Sequence, residues 1–156
     1  MKVTTKDILL AIKEEFAACV PEAKHYFGNL EENRRLPAFL YLVTYDGGKK
    51  NSFFTSDITK EIQIIYFGKQ DGYKKESYRE RLQVEAALRE FLDRFYIKVG
   101  DRYLKFTYEI KEADEQMAIY LTFRYLDESP NPYDEEKQKR ETAENIYFKK
   151  RVSHRL

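Results

Sequence analysis

The sequence predicts an α+β fold: a mixed, mostly antiparallel sheet with two helices packed on it, plus a charged C-terminal extension. Two segments repeat apolar residues at helical spacing, and several others alternate apolar and polar residues with period two. The order helix, strands, helix, strands differs from the strict strand-helix alternation of a parallel α/β sheet. At 156 residues, 42% of them hydrophobic, the chain suits one core.

Thr4 followed by Asp7 reads as a capping box. Ile8, Leu9, Ile12, Phe16 and Val20 then recur at helical spacing up to Pro21, predicting a helix over 5–18 with Lys6, Lys13 and Glu14 on its wet side. Residues 24–28 (KHYFG) form a short strand. Pro37 opens the run AFLYLVTY, in which Phe39, Tyr41, Val43 and Tyr45 point one way and Ala38, Leu40 and Leu42 the other. Both faces are apolar, so this strand is expected to be central and covered on both sides. The segment DGGKKNSFFTSD (46–57) is the long, flexible tip of a hairpin that returns as EIQIIYFG, where Ile62, Ile64 and Tyr66 alternate with Glu61 and Gln63.

After a break at Gly68 to Gly72, residues from Tyr73 to about Arg94 read as the longest helix, with a seam of Val84, Leu88, Phe91 and Phe95 supported by Leu92. An antiparallel meander follows: FYIKV, a turn at Gly100-Asp101, RYLKFTYEI with Leu104, Phe106, Tyr108 and Ile110 on one face, a turn near Ala113-Asp114, and MAIYLTFRYL. Composition changes from Asp127, which reads as the start of a polar tail outside the core; the domain is set over 1–128 and the extension over 129–156. The extension carries Pro130 and Pro132, its acids precede its bases, and it is expected to be helical from Asp134, with Ile146, Tyr147 and Phe148 clustered near its end.

A formal net charge of +1 gives no general attraction to nucleic acid. Cys19 is the single cysteine, so no internal disulfide forms, and with two histidines it cannot complete a four-ligand zinc site. No metal or cofactor is therefore expected. No run approaches the roughly 20 apolar residues of a membrane helix, so an intracellular, membrane-free protein is expected. Hydrolase, phosphate-loop, dinucleotide and zinc-protease motifs are missing. Gly47, Gly48, Lys49 and Lys50 sit at a hairpin tip and not before a helix, which makes them a turn.

Three constellations invite chemistry, and each has a plainer reading. Glu109 and Lys111, two apart on a strand, match part of a metal-dependent nuclease site, but period-two alternation already explains them as solvent-facing. Cys19 and His25 lack a third group for nucleophilic catalysis. Tyr103, Lys105, Tyr120 and Arg124 are candidates for stacking single-stranded nucleic acid, with packing the favoured role. The expectation is that the protein is not an enzyme.

Taken together, TTKDILLAIKEEF, RRLPAFLYLV, EIQIIYFG, the glycine-rich break, YRERLQVEAALREFL and a meander ending in YLTFRYLDES resemble the tail terminator (tail completion) family of bacteriophages and prophages, over residues 4 to 128. The resemblance implies a structural subunit of a ring, commonly hexameric, that caps the tail tube and stops its polymerisation. It further implies contacts with the tail-tube protein and the head-tail connector protein, and a central channel that DNA traverses without specific binding. Assembly would occur in the bacterial host cytoplasm, and the product would reside in the virion tail. The extension after Asp127 departs from the family's usual end. A neck adaptor that completes the head is the alternative, with the metal-dependent nuclease behind it. Candidate partner contacts are Lys49, Lys50, Phe53 and Phe54 at the hairpin tip, where two adjacent rings stand in a polar loop, and Ile146, Tyr147 and Phe148 in the extension.

Overall fold

Thr4 starts the fold as its sequence context requires. Its hydroxyl accepts from the Asp7 amide at 3.1 Å while the Asp7 carboxylate accepts from the Thr4 amide at 3.0 Å, closing a capping box at the head of helix α1 (Thr5–Cys19). The computed structural model describes residues 2–128. The extension over 129–156, with Ile146, Tyr147 and Phe148, lies outside the described residues.

Strands β1 (Lys24–Phe27), β2 (Ala38–Lys50) and β3 (Thr55–Phe67) precede helix α2 (Tyr78–Leu92), and β4 (Tyr96–Val99), β5 (Arg102–Ala113) and β6 (Gln116–Glu128) follow it. They form one six-stranded sheet of order β1-β2-β3-β6-β5-β4. Among the described strands only β1 and β2 run parallel; every other pairing is antiparallel. This is the mixed, mostly antiparallel α+β fold that the order of elements predicts.

Both helices cover the same sheet face. Ile8, Ile12 and Phe16 of α1 and Val84, Leu88, Phe91 and Leu92 of α2 share one core with Phe39, Tyr41, Ile62, Ile64, Ile119, Leu121 and Phe123 from the central strands. Phe16 is wholly buried, with ring centroids 5.1 Å from Phe39 and 6.1 Å from Phe91, the edge-on distances at which aromatic pairs attract.

Four expectations are corrected. First, β2 is covered on both sides only along its opening residues, Ala38 to Tyr41; Val43 and Tyr45 are exposed. A bulge between Val43 and Tyr45 shifts the register, so that Asp46 pairs with Lys60 and Tyr45 with Glu61. The inserted residue reverses the alternation, and Tyr45 points to the face opposite Phe39 and Tyr41. Second, the hairpin has no long tip. Pairing runs to Lys50 and Ser56, leaving 51–54 as the turn.

Third, α2 starts at Tyr78 and not Tyr73, and at 15 residues it only equals α1. The Asp71 carboxylate accepts from the amides of Tyr73 and Lys75, Lys74 adopts φ 59°, and Ser77 caps the helix. Phe95 leaves the helical seam because its φ of 61° turns the chain into β4, and its ring stacks on Tyr108 instead. Fourth, Asp127 and Glu128 belong to β6. Asp127 is buried, accepting from the Val3 amide at 3.0 Å and pairing with Arg102 at 3.1 Å, which ties the N-terminus to the last strand.

Candidate functional site

The far end of the β2-β3 hairpin is held by its own polar side chains. The Asn51 and Ser52 amides donate to the Thr55 carbonyl at 3.0 and 3.1 Å, and the Ser52 hydroxyl accepts from the Phe54 and Thr55 amides. Lys50 Nζ donates to the Phe53 carbonyl at 3.1 Å. These contacts brace the turn's backbone, and they leave the rings of Phe53 and Phe54 each 62% exposed. Two large apolar rings side by side in water on a fixed turn form a surface that loses solvation cost when covered.

Lower on the projection, ion pairs fix the strands around it. Arg124 of β6 donates to Asp57 at 3.0 Å, and that hydrogen bond holds the Asp57 carboxyl below its usual range. Lys49 is exposed on the same sheet face, its register partner being Asp57. Lys60, nearly buried, donates to Thr5 at 2.6 Å and to Asp46 at 3.1 Å, anchoring the base of the hairpin to the start of α1. The structure thus brings Lys49, Lys50, Phe53 and Phe54 together at one end of a projection made of β2, β3 and the end of β6.

The other constellations resolve into ordinary contacts. Glu109 and Lys111 pair with each other at 3.0 Å on an exposed face, and Lys111 also lies over the Tyr120 ring. Among the described residues, no three of His, Cys, Asp and Glu are grouped to hold a metal ion. Cys19 is half-buried, and burial pushes its thiol up, away from a nucleophilic thiolate. His25 shares a hydrogen bond of 2.8 Å with the Tyr41 hydroxyl, its ring stacked on Phe39. Tyr103 stands opposite Lys98, whereas Tyr120 stands opposite Glu109 and bonds Gln63. Six residue steps along β5, about 20 Å at strand spacing, separate Tyr103 from Glu109, the residue beside Tyr120. The two tyrosine rings are not one stacking platform. No helix of the described residues is long and apolar enough to cross a membrane.

Sequence reasoning missed the exposed apolar residues at the sheet's two margins. Phe27, Val43 and Tyr45 stand at one, and Tyr78, Leu82, Tyr96 and Tyr103 at the other. Each looks unremarkable alone, and only the strand order groups them.

A comparison with curated proteins gives no match. A comparison with known families matches residues 6–135, most of the chain, to the family described as phage tail terminator protein. The match spans both helices, all six strands and the aromatic turn, and the α+β architecture agrees with it. The chain belongs to the phage tail terminator family.

Proposed function

We propose that the chain is a structural tail protein that assembles as a ring, most naturally a hexamer, on the last ring of tail-tube subunits. There it stops polymerisation and offers its opposite surface to the head-tail connector, leaving a channel through which DNA passes without specific contacts. Assembly takes place in the host cytoplasm and the ring stays in the virion tail. The observation that carries this reading is the exposed pair Phe53 and Phe54 on a turn held by hydrogen bonds, within the span of the family match. A turn fixed before docking loses little conformational entropy on binding, which favours its use as an anchor. Near-neutral net charge fits partners met through complementary contacts and not through long-range steering.

The test is a double substitution, Phe53→Ser with Phe54→Ser, assayed by co-sedimentation with assembled tubes of the cognate tail-tube protein. Wild-type protein should bind tube ends, and the variant should keep its melting temperature within a few degrees and lose that binding. Undiminished binding by a folded variant would remove the tip from the docking surface.

A further inference from the structure

The sheet has two stepped margins. Among the described residues, β1 covers only Ala38 to Tyr41 of β2 at one margin, leaving 42–49 unpaired on that side, and β4 covers only Arg102 to Lys105 of β5 at the other, leaving 107–113 unpaired. Register places the two steps at opposite ends. β1 lies beside the opening half of β2, whose row continues through β3 and β6 to the closing half of β5; β4 lies beside the opening half of β5. Each margin therefore has a four-residue strand standing out at one end and a notch at the other, in reversed order. Unpaired backbone edges of this length are normally shielded or paired.

We propose that these margins join two copies of this chain head to tail, with β1 of one copy entering the notch beside β5 of the next and β4 of that copy entering the notch beside β2. The inference rests on the ring reading above and specifies its joint. Strand directions permit it: β1 would run antiparallel to β5, and β4 parallel to β2, both regular ladders.

The side chains match row by row. Phe27 pairs with Tyr41, Tyr41 with Ile64, Ile64 with Ile119, and Ile119 with Ile110, so Phe27 and Ile110 occupy one row on the helix-covered face. Level joining sets the half-exposed Phe27 ring beside Ile110, in the groove that Ile110 forms with Tyr78 and Leu82 of α2. On the opposite face, Tyr96 pairs with Lys105 in the opening half of β5, at the end of the sheet where Thr59 pairs with Gly47 on one side and Arg124 on the other. Gly47 has no side chain, and the Tyr45 hydroxyl already lies 2.7 Å from where a Cβ would stand. Tyr96 would lie beside this end of β2 with its ring against the Tyr45 ring that covers Gly47. Such a joint uses different surfaces on its two sides, the heterologous kind that closes into a ring when the rotation between neighbours divides a full turn.

The test mixes single-cysteine full-length chains in a Cys19→Ala background under mild oxidation. Facing residues on adjacent strands have Cβ atoms about 4.5 to 5.5 Å apart, within disulfide reach. Phe27→Cys mixed with Ile110→Cys should give the mixed disulfide on the order of tenfold above either variant alone, the yield expected for a specific joint over random collision. Oligomers by sedimentation without mixed disulfides, or with like-to-like disulfides, would refute the joint while leaving the ring. A chain that stays monomeric in solution and on tube ends would refute both. A second variant is Lys98→Pro. Phe95 accepts from the Phe106 amide, so alternation turns the Lys98 amide away from β5 and toward the proposed neighbour. It should keep the monomer folded and weaken association on the order of tenfold, and unchanged association would overturn the proposal.

Discussion

Replacing Asp127 by alanine is the sharpest test of how the fold is closed. Its side chain, 4% exposed, accepts from the Val3 amide at 3.0 Å, from Arg102 at 3.1 Å and from the Glu128 amide at 3.0 Å. Removing one partner of a buried pair typically costs about 3 to 5 kcal/mol, because the other charge is left uncompensated. Arg102 is 28% exposed and keeps its bond to the Leu126 carbonyl, which reduces that figure. The Val3 amide, buried without an acceptor, adds a penalty of about 1 to 3 kcal/mol. The two partly overlap, giving an expected loss of about 2 to 4 kcal/mol, a large share of a typical domain's stability. Urea unfolding followed by circular dichroism reads it as a shift in midpoint at constant slope. Asp127→Asn, which retains an oxygen for Val3, should lose about half as much. Combined with Arg102→Met it should lose less than the two single changes added, by about 1 kcal/mol or more. A loss under about 1 kcal/mol for Asp127→Ala at unchanged slope would show that the N-terminus and β6 do not support each other as described.

Phe16→Ala should cost about 3 to 5 kcal/mol in the same assay, since a wholly buried ring between Phe39 and Phe91 leaves a cavity the core cannot close. Lys60→Met should change stability by no more than about 1 kcal/mol, because the apolar stem is retained and Asp46, already half-exposed beside Lys60, can be solvated; a loss above about 3 kcal/mol would make the ion pair essential. His25 faces the Tyr41 hydroxyl and lies near Lys13 and Lys24, and burial first, then those charges, lowers its pKa below 6.5. Its contribution is therefore present above the unfolded value of 6.5 and is lost as pH falls through the lower folded value, so stability should decline in mild acid. His25→Gln should flatten that decline in unfolding midpoints measured at neutral and mildly acidic pH, and an identical slope in both proteins would assign it to other groups.

Local signals were legible wherever neighbours in sequence decide the outcome. Thr4 and Asp7 announce their capping box, Ile62, Ile64 and Tyr66 their inward face, and Phe53 and Phe54 stand out because nothing around them is apolar. Nothing in the sequence near Thr44 marks the bulge, since a register shift depends on the partner strand. The early start assigned to α2 failed because Asp71 satisfies the backbone of 73 and 75 in a turn that competes with helix. Asp127 reads as the first residue of a polar tail because its partners, Val3 and Arg102, are far off in the chain. The stepped margins were the least visible, since they require β6 to insert between β3 and β5, an order that local periodicity does not encode.

The central claim is capping, and the direct measurement is the length distribution of tail tubes polymerised from the cognate tube protein with increasing amounts of this chain. The account predicts that tubes shorten as the ratio rises and that each capped end carries a ring of this chain in electron micrographs. Length distributions unchanged at molar excess, with bare tube ends, would contradict it.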